Sequence, residues 1–144
     1  MKNGTPTADD YVLDQQVGYL LRLASQRHAV IFQSRMAEGI TPTQFSALVR
    51  LAEHGPSSQN QLGRLAAMDI ATIKGVVDRL RQKGLVQTEA STEDRRRSVV
   101  SLTSRGSGLV DDLMRLGAQI TDETLAPLSP SERRTLIKLL GKMA

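Results

Sequence analysis

The 144-residue chain contains no cysteine and no tryptophan, and only two phenylalanines, two tyrosines and two histidines, His28 and His54. Without cysteine there is no disulfide framework, no thiolate zinc site and no thiol redox switch. Nor is there a glycine-rich phosphate loop or a pair of carboxylates on a shared apolar face. The Gly106-Ser107-Gly108 triplet is too short for such a loop and falls at a helix start. No catalytic and no metal-ligating constellation is present, so an enzyme is not expected. Apolar runs are short, and Met1 to Thr7 lacks the basic-then-apolar pattern of a leader. One soluble, cytoplasmic domain's worth of chain is expected.

Charge is modest in amount and uneven in place. The net charge is +4, and residues 1–57 and 107–144 each carry five Lys/Arg and five Asp/Glu. Residues 58–106 carry nine Lys/Arg against five Asp/Glu, which is the whole excess. A basic middle third between neutral flanks is the footprint of a module that binds a polyanion.

Within that third, Asp69 to Gly84 is the stretch the chain is organised around. Ile70, Ile73, Val76, Val77 and Leu80 recur at helical spacing and predict one buried face. Asp69 is placed to cap the first turn and Gly84 to end the last, after the cations Arg81 and Lys83. The opposite face carries Ala71, Thr72, Lys74, Gly75, Asp78 and Arg79, all small, hydrogen-bonding or charged. That face suits a DNA groove better than a core.

The rest of the chain frames this helix. Residues 1–8 read as a polar, mobile arm. A long helix is expected from Asp9 or Asp10 to about Glu38, closed by Gly39, with Leu13, Val17, Leu20, Leu21, Ala24, Ile31 and Phe32 on one face. At about 30 residues it is too long for a small domain to cover and implies a second chain. Thr41-Pro42-Thr43-Gln44 reads as a capping box, opening a helix with Phe45, Leu48, Val49 and Ala52 inward and Gly55-Pro56 as its stop. Ser58-Gln59-Asn60-Gln61 reads as a second box, with Leu62, Leu65 and Ala66 inward, and a turn at Met68 leads into the Asp69 helix. Two short helices joined by a tight turn, the second with a basic outer face, form a helix-turn-helix.

After Gly84 the period changes. Leu85–Glu89 and Ser98–Leu102 are β-branched runs about a polar loop, Ala90–Arg97, and predict a hairpin. Its tip holds Glu93-Asp94-Arg95-Arg96-Arg97. Such a wing brings arginines to an adjacent minor groove, and Asp94 offers a carboxylate to hold the Arg96 guanidinium in an inserting pose. Thr103 can cap a further helix with a Leu109, Leu113, Leu116, Ile120 seam. Pro127 ends it, and Ser129-Pro130-Ser131-Glu132 opens a last helix bearing Leu136, Ile137, Leu139 and Leu140.

Thr43 through Gly106 resembles the MarR family of bacterial winged helix-turn-helix regulators. The residues that carry the resemblance are Gln61-Leu62-Gly63, Thr72 to Leu80, Lys83-Gly84-Leu85-Val86, Asp94-Arg95-Arg96 and Ser101 to Gly106. The flanking helices agree in length and order. The resemblance implies a mainly α fold with a small β-hairpin wing, in which residues 1–40 form an arm and dimerisation helix, 41–103 the DNA-binding domain and 104–144 C-terminal dimerisation helices. It also implies a homodimer reading a pseudo-palindrome in double-stranded DNA, with Ala71, Thr72, Lys74 and Gly75 toward the major groove. Ala71 and Gly75 depart from the hydroxyl and the larger polar residue many members carry there. Thr72 and Lys74 are therefore expected to carry most of the base readout. Ser58, Gln59, Asn60 and Arg79 are assigned to phosphates. Arg96 is assigned to the minor groove, with Arg95 or Arg97 as a backbone contact.

Many MarR-like proteins are released from DNA by phenolic or carboxylic ligands or by cysteine oxidation, and this chain has no cysteine. His28 follows Leu21 by seven residues and Arg35 follows His28 by seven, which turns both toward the apolar face. There they would meet either an anionic aromatic ligand or partners within the protein. Gln15 to Gly18, Gln26-Arg27-His28 and Ala71 to Gly75 also resemble a branch controlling aromatic or N-heterocyclic acid breakdown. The expected protein is thus a homodimeric repressor released by a small aromatic or N-heterocyclic carboxylate effector. Two alternatives stand: a ligand-independent repressor, differing only at His28 and Arg35, and a winged-helix module that binds protein, which would expose apolar or aromatic residues on the outer face of the Asp69 helix where Lys74 and Arg79 stand instead.

Overall fold

The computed structural model describes residues 4, 5 and 7–144; residues 1–3 and 6 of the expected arm lie outside that range. Helices α1 (Val17–Arg35), α2 (Pro42–His54), α3 (Gln59–Leu65), α4 (Ile70–Gln82), α5 (Ser104–Thr124) and α6 (Pro130–Met143) surround strands β1 (Ser57–Ser58), β2 (Val86–Ala90) and β3 (Ser98–Leu102). The sheet is antiparallel in the order β1-β3-β2, with Val86 opposite Leu102 and Ala90 opposite Ser98. Mainly α with a small wing is the fold observed.

Capping explains most of the helix starts. Thr41 and Gln44 exchange bonds as a full box, as do Ser129 and Glu132. Thr103 accepts from the Gly106 N–H at 3.0 Å. Ser58 accepts from Gln61 N–H, but no return bond from the Gln61 side chain completes a box there.

The long N-terminal helix is shorter than expected. Two single 3-10 turns, Ala8–Asp10 and Leu13–Gln15, precede α1, because Val12 and Gln16 are extended. Asp9, Asp10, Tyr11 and Val12 are poor helix formers with nothing of their own chain to pack on. At the other end Met36 is extended, and Glu38 and Gly39, at φ 61° and 65°, reverse the chain into α2. Of the expected apolar face, Ile31 and Phe32 are buried, while Leu13, Val17, Leu20 and Leu21 stay exposed.

The main core is built from α2, α3, α4, the sheet and the first half of α5. Leu48, Leu62, Ile73, Val77, Leu80, Leu85, Val100 and Leu113 are its largest fully buried members. On α2 the buried stripe is Gln44, Ala47, Leu48 and Leu51, with Phe45 and Val49 partly covered and Ala52 in solvent. Phe45, at the edge of that stripe, packs against this core and also meets Phe32 of α1, edge to face at 6.2 Å. No described helix is long and apolar enough to cross a membrane.

Candidate nucleic-acid interface

The turn between α3 and α4 is closed by backbone bonds. Met68 N–H donates to Gly63 C=O at 2.8 Å, and Ala67 takes a left-handed φ of 55°. A Cβ on Gly63 would lie 3.1 Å from both Ile73 Cγ2 and Met68 O, so glycine is what lets the two helices approach this closely. Asp69 then caps α4, accepting from Thr72 N–H at 2.7 Å. That bond above all, with a smaller contribution from the Thr72 side chain, holds the carboxyl below its ordinary range. Gly84, at φ 73°, ends the helix one residue beyond Lys83.

The outer face of α4 is as expected in all but one residue. Ala71, Thr72, Lys74, Asp78 and Arg79 are exposed and Gly75 half-buried. Arg79 folds back along the helix, its Nη1 3.5 Å from where a Gly75 Cβ would lie, so the space a larger side chain would fill holds a guanidinium. Ile70 departs from the pattern. Expected in the core stripe, it is 72% exposed, because the stripe reaches its first turn beyond the edge of the core.

The wing tip is held by its own short side chains. Ser91 Oγ accepts from the Glu93 and Asp94 N–H groups, and Ser91 N–H donates to Arg97 C=O at 2.8 Å. Asp94 was expected to hold the Arg96 guanidinium; instead its Oδ1 accepts the Arg96 backbone N–H at 3.0 Å. Two residues is the reach of an Asx turn, and the nearer backbone donor wins. The guanidiniums of Arg95, Arg96 and Arg97 have no protein partner among the described residues.

Strand β1 was not foreseen, and it assembles the site. Pairing of Ser57 with Val100 and Ser58 with Val99 stitches the start of α3 to the wing. Ser58, Gln59 and Asn60 thereby share one cleft of about 310 Å³ with Arg96 and Arg97. Arg64 lines it too; the sequence counted its charge but gave it no role. Two of the nine cations in this region are structural. Lys83 Nζ donates to Glu38 and Gly39 carbonyls, and Arg105 binds the Lys83 carbonyl and pairs with Glu38 at 3.2 Å. The other seven face solvent unpaired among the described residues, which suits a polyanion.

His28 and Arg35 lie elsewhere, where α1 packs on the end of α5. His28 Nδ1 is 2.9 Å from Thr124 Oγ1, and Arg35 pairs with Glu123. Arg27 donates to the Thr124 and Glu123 carbonyls at 2.6 and 2.9 Å, satisfying orphan acceptors of the last turn. The Arg35–Glu123 pair is about 40% exposed on both sides.

The profile of the MarR family matches residues 40–98. HTH-type transcriptional repressor NicR of Pseudomonas putida is 42% identical over 134 residues, which is 92% of this chain and 85% of NicR. The chain belongs to the MarR family. A solved structure of a probable transcriptional regulator from Pseudomonas aeruginosa is 49% identical, with a TM-score of 0.89, covering 92% of this chain and all of that one. Bordetella bronchiseptica BpsR, whose DNA binding is regulated by 6-hydroxynicotinic acid, is 38% identical with a TM-score of 0.86, covering 92% of this chain and 96% of its own. These MarR-family relatives are regulators of transcription and not enzymes.

Proposed function

We propose that the chain is a homodimeric, cytoplasmic DNA-binding repressor that leaves a pseudo-palindromic operator when a small aromatic or N-heterocyclic carboxylate binds. The observation that carries the reading is the shared cleft of Ser58, Gln59 and Asn60 with Arg64, Arg96 and Arg97, whose three guanidiniums have no partner among the described residues, beside the exposed face of α4. Thr72 and Lys74 read base edges, with Ala71 allowing close approach and Gly75 leaving room for the Arg79 guanidinium. Ser58, Gln59, Asn60 and Arg79 take phosphates, Arg96 the minor groove, and Arg95 or Arg97 the backbone beside it.

The effector site of this reading is the α1–α5 junction at His28 and Arg35. A ligand carboxylate competes with Glu123 for Arg35, and a half-exposed ion pair is cheap to open. Ligand binding then shifts the population toward a spacing of recognition helices that misses major grooves about 34–36 Å apart. BpsR, a relative regulated by an N-heterocyclic carboxylic acid, supports that ligand class. A ligand-independent repressor is the second reading, favoured by the partners His28 and Arg35 already have within the chain.

The test is binding of the purified protein to DNA upstream of its own gene, with and without a panel of aromatic and N-heterocyclic carboxylates. Tight, salt-sensitive binding relieved by one compound is expected, with Arg35→Ala binding DNA normally but no longer released. Binding that no compound relieves selects the second reading. No binding at low salt overturns both.

A further inference from the structure

Ile70 is the most exposed large apolar residue among the described residues. It is the first residue of α4, directly after the capping Asp69, and it stands over a groove between α3 and α4 with Asn60, Arg64, Met68 and Ala71. No residue of α1, α6 or the 3-10 turns lines that groove, so the surfaces left for a second chain do not account for it.

An exposed aliphatic side chain at this place is what a protein-binding module would show. Its surroundings favour another occupant. Ala71 beside it is small, Arg64 lines the same groove and Lys74 lies one helical turn on, both cations without a partner among the described residues, complementary to a polyanion and adverse to an apolar peptide. In a helix-turn-helix the first turn of the second helix is what meets base edges. The apolar feature those edges offer is the C5-methyl group of thymine.

We propose that Ile70 reads thymine: its side chain seats against the C5-methyl group of one thymine in the major groove of each half-site. The proposal rests on the DNA-binding reading and adds a specificity element to it. Thr72 and Lys74 recognise hydrogen-bonding groups, whereas Ile70 distinguishes T from C and from unmethylated uracil by packing alone.

The experiment begins with the sites that the full-length protein selects from a randomised duplex library. Each thymine of the selected site is then replaced singly by deoxyuridine, which lacks only the methyl. The wild-type protein and Ile70→Ala are titrated against every duplex. One thymine per half-site is expected at which deoxyuridine weakens wild-type binding about fourfold, the worth of one buried methyl. Ile70→Ala binds thymine and deoxyuridine equally there, and an unchanged melting temperature shows that it is folded. Ile70→Val, which keeps branched methyls, retains part of the discrimination. A wild-type protein indifferent to every substitution, or an Ile70→Ala variant equally sensitive to them, overturns the proposal. A wild-type protein that selects no sequence overturns the regulator reading beneath it.

Discussion

At Asp69 one carboxylate decides where the recognition helix begins. Thr72 donates to it, and its pKa is lowered in the folded protein. A depressed pKa contributes stability that is present above the unfolded value, near 4, and lost as pH falls through the folded one. Asn caps as well as Asp but does not titrate. The melting temperature of the wild type is therefore expected to fall more steeply than that of Asp69→Asn between about pH 5 and pH 2. Glu132, lowered by its bond from Ser129, titrates in both proteins and cancels in the comparison. Parallel melting curves across that range would remove the cap from the account. Caps of this kind were legible in the sequence because donor and acceptor lie within three residues. Ile70 was not, since periodicity says which way a residue points and not where the core stops. Asp94 was not either, since only the turn geometry decides between a backbone N–H and a guanidinium two residues away.

Among the elements, α4 and the wing were readable from pattern, and the strand that joins them was not. Strand β1 is two serines long, carries no apolar alternation, and finds its partners, Val99 and Val100, some forty residues on. Yet β1 is why Arg64 and the wing arginines share a cleft. The two kinds of arginine separate by experiment. Arg64→Ala is expected to weaken binding by the same factor on every DNA and to lower the salt-dependence slope by about 1 per site. Arg96→Ala is expected to cost about 1 kcal/mol more on sites with A·T flanks, where the minor groove is narrow and most negative. Salt titrations on two flank sequences measure both. An equal loss on the two flanks would make Arg96 a phosphate contact instead.

At the scale of the whole molecule, the chain alone leaves an apolar surface uncovered. Val17, Leu20 and Leu21 on α1 and Leu136, Ile137, Leu139 and Leu140 on α6 are all exposed, and α6 buries no residue against its own chain. A 14-residue helix is marginal in water without a packed face, so the exposed apolar face of α6 suits the proposed homodimer. The sequence indicated that partner through the excess length of an N-terminal helix. The helix is shorter than that, and the proposal of a second chain rests instead on α6 and the exposed half of α1. Replacing Leu136 and Leu140 together by Asp places four charges in a symmetric interface and tests it directly. The double variant is expected to sediment as a monomer and to lose the circular-dichroism signal of α6. The winged domain stays folded, because Leu48, Leu62, Ile73, Leu80 and Val100 come from α2, α3, α4 and β3. DNA affinity should then fall about a hundredfold or more, since one half-site no longer tethers the other. A double variant that remains dimeric would move the interface away from α6. A wild-type protein that sediments as a monomer at micromolar concentration would remove the homodimer, and with it the two-groove spacing through which an effector would act.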